Sequence, residues 1–163
     1  MASIFFLPTF ALADGVYKPT TKIQIEATNK FIKRALKDVG RYVGLNCKNW
    51  ARIVIKDASG GKIILPPTHP DAYGWLLARY NKIERIDGDV AELINMVTAG
   101  DIIQMNWKPG MPHTAIVLRI DKDWLEFIES NWKEKETVFT RKMKINDFIK
   151  KTFKYSVYRI IES

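Results

Sequence analysis

The chain has 163 residues, 47% of them apolar and 12% aromatic, a content that suits one domain with a buried core and excludes a disordered polymer. Its single cysteine excludes an internal disulfide and a zinc site of several cysteines, and two histidines leave little for any other metal centre. The formal charge of +8 points to polyanions, whether nucleic acid, anionic lipid or an acidic cell-wall polymer, without choosing among them.

Residues 3–13 read SIFFLPTFALA, an uncharged apolar run. It ends in Ala11-Leu12-Ala13, the small-x-small pattern of a signal-peptidase site, just ahead of Asp14. The run is too short to span a bilayer, so no stable membrane insertion is expected. Cleavage after Ala13 leaves a single domain, 14–163, and places it in a secreted or periplasmic compartment. The mature chain keeps the whole +8, because residues 1–13 carry no charged side chain. The alternative is an ordinary buried N-terminal strand, broken by Pro8.

A first helix is expected over 20–41. Pro19 stands near its start, Gly40 and Gly44 near its end, and Ile23, Ala27, Phe31, Ile32, Ala35 and Val39 form an apolar stripe at helical spacing. A second helix starts at Cys47 and runs to about Ala58, where Gly60-Gly61 stops it. Residues 62–72 hold Pro66, Pro67 and Pro70 and read as loop. Further helices are expected over 73–81 and 89–97. From Gly100 onward the pattern turns to strands: 101–107, then 113–120 after the turn Lys108-Pro109-Gly110-Met111-Pro112, then 124–131. A short helix near 145–151 precedes a last strand over 155–161. Helices first and an antiparallel meander second make an α+β class, with N-terminal helices packed on the sheet.

Cys47 sits where a helix begins. Asn46 is a good N-cap, which places Cys47 in the first turn. There the unpaired backbone N–H groups and the positive end of the helix dipole favour a thiolate, the nucleophilic form. The same residue also fits an apolar helix face, since Ala51, Val54, Ile55 and Ala58 follow at helical spacing. His113 opens an apolar strand after a proline-rich turn, from which a side chain can reach over the sheet end toward a facing helix. A surface histidine at a hairpin mouth has the same local sequence. His69, between Pro67 and Pro70, has no strand to hold it and reads as a loop residue. Glu129 and Asn131 lie two apart on the next strand, so either can accept a hydrogen bond from the imidazole. A solvated strand end is the plain alternative for both.

The segments Gly100-Asp101-Ile102-Ile103-Gln104-Met105, His113-Thr114-Ala115-Ile116-Val117 and Ile128-Glu129-Ser130-Asn131 resemble the core of CHAP domains. These are cysteine, histidine-dependent amidohydrolases/peptidases, relatives of the NlpC-type cell-wall peptidases. Cysteine on a helix, then histidine and a polar residue on successive strands, is also the chain order of papain-like enzymes. The resemblance covers roughly residues 40–135. It implies a papain-like (NlpC/CHAP-type) fold with Cys47 as nucleophile, His113 as base, Glu129 as the residue that orients the base and Asn131 as a supporting polar group. Asn46 stands where CHAP domains usually carry the Gln that helps build the oxyanion hole, and a shorter amide there reaches less far or serves only as the helix cap.

The reading that follows is an exported cysteine amidase or endopeptidase, acting on peptidoglycan or its peptides by acyl transfer, without metal or organic cofactor. Its rival from another class is a basic domain that binds nucleic acid or anionic lipid. Clusters such as Trp132-Lys133-Glu134-Lys135 and Phe153-Lys154-Tyr155 support the rival. The scatter of acids among the bases and the lack of a stacking motif weigh against it, so no nucleic acid is expected. A hydrolase of the same fold acting on a non-wall amide, ester or thioester is the third possibility.

Overall fold

The computed structural model describes residues 30–63, 83–86, 89–107, 111–152 and 154–160. The expected export segment, the beginning of the first helix, His69 and the helix expected over 73–81 lie outside them.

Residues 30–36 form helix α1, with Phe31 and Ala35 of the expected stripe buried. Val39 falls past its end and is exposed, because the chain already turns at 37–40. Gly40 then donates to the Val138 carbonyl at 2.8 Å, and Val43 donates to Glu136 at 2.9 Å. Helix α2 spans Cys47–Ala58 and buries Trp50, Ala51, Val54 and Ile55. It is tied to α1 by polar bonds. Trp50 Nε1 donates to Asp38 at 2.9 Å, and Arg34 donates to Asp38 and to Asp57, each at 2.8 Å.

Six strands follow: β1 (Ile83–Ile86), β2 (Ile102–Asn106), β3 (Pro112–Ile120), β4 (Trp124–Ser130), β5 (Val138–Lys144) and β6 (Lys154–Ile160). They form one sheet in the order β1-β6-β2-β3-β4-β5, each neighbouring pair antiparallel. Helix α3 (Val90–Met96) precedes β2, and α4 (Ile145–Lys151) joins β5 to β6. The architecture is α+β with N-terminal helices on an antiparallel sheet. Among the described residues no helix is long and apolar enough to cross a membrane.

The sheet is apolar on both faces because both halves of the two-residue alternation are buried. Ile102, Ile116, Ile128, Val138 and Tyr158 face α1 and α2. Their chain neighbours Ile103, Val117, Phe127 and Val157 face Leu93 and Ile94 of α3 and Phe148 of α4. The helices therefore cover both faces of the sheet.

Two strands, β1 and β5, were not expected. In β5 only Val138 is buried, while Thr140, Lys142 and Lys144 are exposed, so the strand lacks an apolar signature. The strand expected over 124–131 stops at Ser130, because Asn131 adopts a positive φ of 64°.

The Gly-Asp pair before β2 has a structural job. Gly100 turns the chain at φ 88° and donates to the Val117 carbonyl at 2.8 Å, while the Val117 N–H donates to the Asp101 carbonyl at 2.8 Å. The buried Asp101 carboxylate accepts two bonds from Arg159 of β6, at 2.9 and 2.7 Å, and one from Thr98 N at 2.8 Å. Arg159 also donates to the Met96 carbonyl, which locks the end of α3 to the sheet. Asp101→Ala removes the counter-charge of a buried guanidinium and is expected to cost about 3–5 kcal/mol of stability, read from urea unfolding. A loss below about 1 kcal/mol, the worth of an exposed pair, would show that the contact carries little.

Candidate active site

Cys47 is the first residue of α2, and the local sequence explains its setting. Asn46 is extended, and its side-chain oxygen accepts the Asn49 N–H at 2.9 Å, which caps the helix one residue before the cysteine. The preceding loop is held from the sheet: the buried hydroxyl of Ser130, the last residue of β4, donates to the Leu45 carbonyl at 2.7 Å. That bond fixes the start of α2 against the end of the strand that carries Glu129.

His113 is the second residue of β3. By alternation it shares the face of Ala115 and Val117, opposite the face on which α2 lies. The site therefore forms at the sheet end, where the helix on one face and the imidazole from the other meet. The Cys47 thiol and the His113 imidazole lie close enough to shift each other's pKa through hydrogen bonding and charge. The imidazole Nε2 lies 3.0 Å from Glu129 Oε2, which leaves Nδ1 for the sulfur. Glu129 is wholly buried and His113 is 7% exposed, so water screens this row poorly. Cys47, His113 and Glu129 are thus brought together.

A fourth group completes the row. Arg141 of β5 donates Nε to Glu129 Oε1 and Nη2 to Glu129 Oε2, the latter at 3.0 Å. The pairing Phe127↔Arg141 and Glu129↔Phe139 makes Arg141 a diagonal neighbour of Glu129 on one face. Its guanidinium lies over the rings of Trp132, Phe127 and Trp107 at 4.2, 4.9 and 5.0 Å. Trp132 packs in turn on the His113 ring, centroids 5.0 Å apart, and is 43% exposed. Neither Arg141 nor Trp132 was anticipated as part of the site. The alternation Phe139-x-Arg141-x-Met143 is the one sequence signal that places Arg141 on a strand.

The charges of the row follow from these contacts. Burial works against a Cys47 thiolate, but the His113 hydrogen bond and charge and the backbone N–H groups of Thr114 and Lys48 outweigh it, so the thiol pKa is lowered. Burial likewise pushes His113 down, yet its hydrogen bonds to Cys47 and Glu129 raise it to about 9. Burial raises Glu129, and the bonds from His113 and Arg141 overcome this and hold it below the usual carboxylate value. A thiolate beside an imidazolium, oriented by a carboxylate, is the arrangement that nucleophilic acyl transfer needs. Among the described residues no group of three or more His, Cys, Asp or Glu side chains is placed to hold a metal ion.

The two amide candidates sit differently. The Asn46 carbonyl is committed to the helix cap, so only its amide nitrogen remains to donate to an oxyanion. Asn131 lies on the exposed turn after β4, and its side-chain oxygen accepts the Glu136 N–H at 3.1 Å. Glu136 is held in the same turn by Tyr42, whose hydroxyl donates to it at 2.9 Å.

No protein-family model matches the chain, and no curated protein matches it. Solved structures do share the fold. Ly7917 superposes with a TM-score of 0.59 at 16% identity, over 82% of this chain and 62% of that one. A second structure of Ly7917, with the hydrolyzing product of MDP, gives 0.58 at 16% identity over the same shares. The wild-type endolysin LysIME-EF1 gives 0.56 at 12% identity, over 83% of this chain and 65% of its own. The chain thus spans less than two thirds of the length of these solved chains. The fold is the α+β, papain-like one.

Proposed function

We propose that this protein is a cysteine amidase or endopeptidase that cleaves amide bonds in peptidoglycan peptides. The observation that carries the reading is the Cys47–His113–Glu129 row, a half-buried thiol at the start of a helix beside a buried histidine and glutamate, with the thiol pKa lowered and the imidazole raised to about 9. An isolated structural cysteine has no reason to face a histidine that is itself oriented by a carboxylate. The substrate class draws on the shared fold: one neighbour is an endolysin, and another was solved with the hydrolyzing product of MDP. The +8 charge suits an anionic wall.

In the proposed mechanism the Cys47 thiolate attacks the amide carbonyl carbon and forms a C–S bond. Negative charge gathers on the carbonyl oxygen, where backbone N–H groups at the start of α2, and the Asn46 amide, are the nearest candidate donors. His113 gives its proton to the leaving amine as the C–N bond breaks, which leaves a thioester on Cys47. The neutral imidazole then takes a proton from water as the water oxygen attacks the thioester. The acid is released and the thiolate–imidazolium pair returns. Glu129 keeps the imidazole turned toward the sulfur throughout.

Mass spectrometry of muropeptides tests this directly. Purified sacculi incubated with the wild-type protein are expected to yield newly cleaved peptides, and Cys47→Ala to yield none. Activity should fall as pH rises through about 9, since the imidazolium that protonates the leaving amine is lost there. Glu129→Ala is expected to lose more activity than Asn131→Ala, because Glu129 bonds His113 while the Asn131 side-chain oxygen bonds the turn. Equal products from wild type and Cys47→Ala would end the reading. A salt-sensitive affinity for DNA in place of wall cleavage would favour the basic binding domain.

The proposed compartment is outside the cytoplasm, on the strength of the Ala11-Leu12-Ala13 pattern after its apolar run. N-terminal sequencing of protein from its native source is expected to begin at Asp14. An intact Met1 in a cytosolic fraction would contradict export and turn attention to an intracellular amide or thioester.

A further inference from the structure

We propose that Arg141 is a positioning residue of the active site, which fixes the Glu129 carboxylate with both its oxygens turned to their partners and keeps it ionised. This rests on the acyl-transfer reading of the row and adds a member that neither the CHAP pattern nor the fold likeness assigns.

The geometry gives Arg141 a specific task. Glu129 has no exposed surface, so its charge depends on neighbours rather than on water. His113 occupies Oε2 from one side, and Arg141 bridges both oxygens from the other through Nε and Nη2. A two-point bridge sets the plane of the carboxylate, which a single bond to His113 cannot do. The carboxylate plane in turn sets the direction in which the imidazole points its other nitrogen.

Arg141 is itself held. Trp107, Phe127 and Trp132 lie under or over its guanidinium, and Nη1 contacts Met143 Sδ at 3.2 Å. These rings come from three separate places on the chain: the residue after β2, the middle of β4 and the turn after it. Trp132 touches both the His113 and the Trp107 rings, so the same side chain covers the imidazole and clamps the arginine. Lysine cannot fill this place fully, because it lacks both the fork and the flat face that the rings meet. Thiol, imidazole, carboxylate and guanidinium then stand in one row, with Glu129 bonded to both His113 and Arg141.

The test follows the Glu129 charge through the His113 ring, one of two histidines in the chain. Proton NMR of wild type, with His69→Gln used for assignment, is expected to show His113 titrating at about 9. Any inflection from Glu129 should lie below its ordinary value of 4.5. In Arg141→Met that inflection should move up by at least about one pH unit, as burial then acts against a single partner. Arg141→Gln, uncharged and polar, makes the same prediction should the Met variant not fold, and Arg141→Lys should return part of the depression. A Glu129 inflection unmoved in the neutral variants, with wild-type His113 at about 9, would overturn the role of Arg141 alone. A wild-type His113 near 6.5 would remove the whole row, and Arg141 with it. A merely structural arginine would lower the melting temperature without moving the Glu129 titration.

Discussion

A carboxylate cut off from water must be matched by cations, and the Glu129 carboxylate is the point on which this structure turns. Ionised and unpaired in that position it would cost several kcal/mol. His113 on one side and Arg141 on the other make its charge tenable, and it is held below its usual pKa as a result. The consequence reaches the sulfur. An imidazole held between Cys47 and Glu129 is charged up to about pH 9, and a charged imidazole favours the thiolate form of a half-buried cysteine.

That row draws one group from each of four elements, α2, β3, β4 and β5, and the scaffold can be understood as what brings these together. Antiparallel pairing puts the start of β3 beside the end of β4, so His113 and Glu129 become neighbours at one end of the sheet. The Ser130–Leu45 bond ties the loop before α2 to that end, and the pairing of residues 40–43 with 136–138 holds the same loop along β5. The two apolar faces make the sheet stiff between layers of helices, while Asp101 and Arg159 fasten β6 to the start of β2. Rigid elements with short polar ties are a sound support for a site that depends on distances near 3 Å.

Local signals were readable and distant ones were not. The Asn46 cap, Cys47 and the end of α2 all belong to one helix of 12 residues and its cap, and the sequence pattern placed them correctly. The apolar runs of β2, β3 and β4 likewise announced themselves, and with them the strand positions of His113 and Glu129. Arg141 escaped because β5 is an outer strand whose exposed lysines mask its alternation, and because its partner stands on another strand. The positive φ of Asn131 escaped for a similar reason: it belongs to a turn shaped by Tyr42 and Val43, some ninety residues earlier. Asp101 was legible as part of a motif, but its bond to Arg159, 58 residues away, was not.

His113, facing Cys47, lowers the pKa of its thiol. Cys47 is the only cysteine, so the ultraviolet absorbance of thiolate, followed through a pH titration of the folded protein, reports on this one group. The expected step in the wild type lies below the ordinary cysteine value of 9. In His113→Ala the step should move up, since burial then opposes only the backbone N–H groups. A wild-type step at or above the ordinary value, unchanged by His113→Ala, would contradict it.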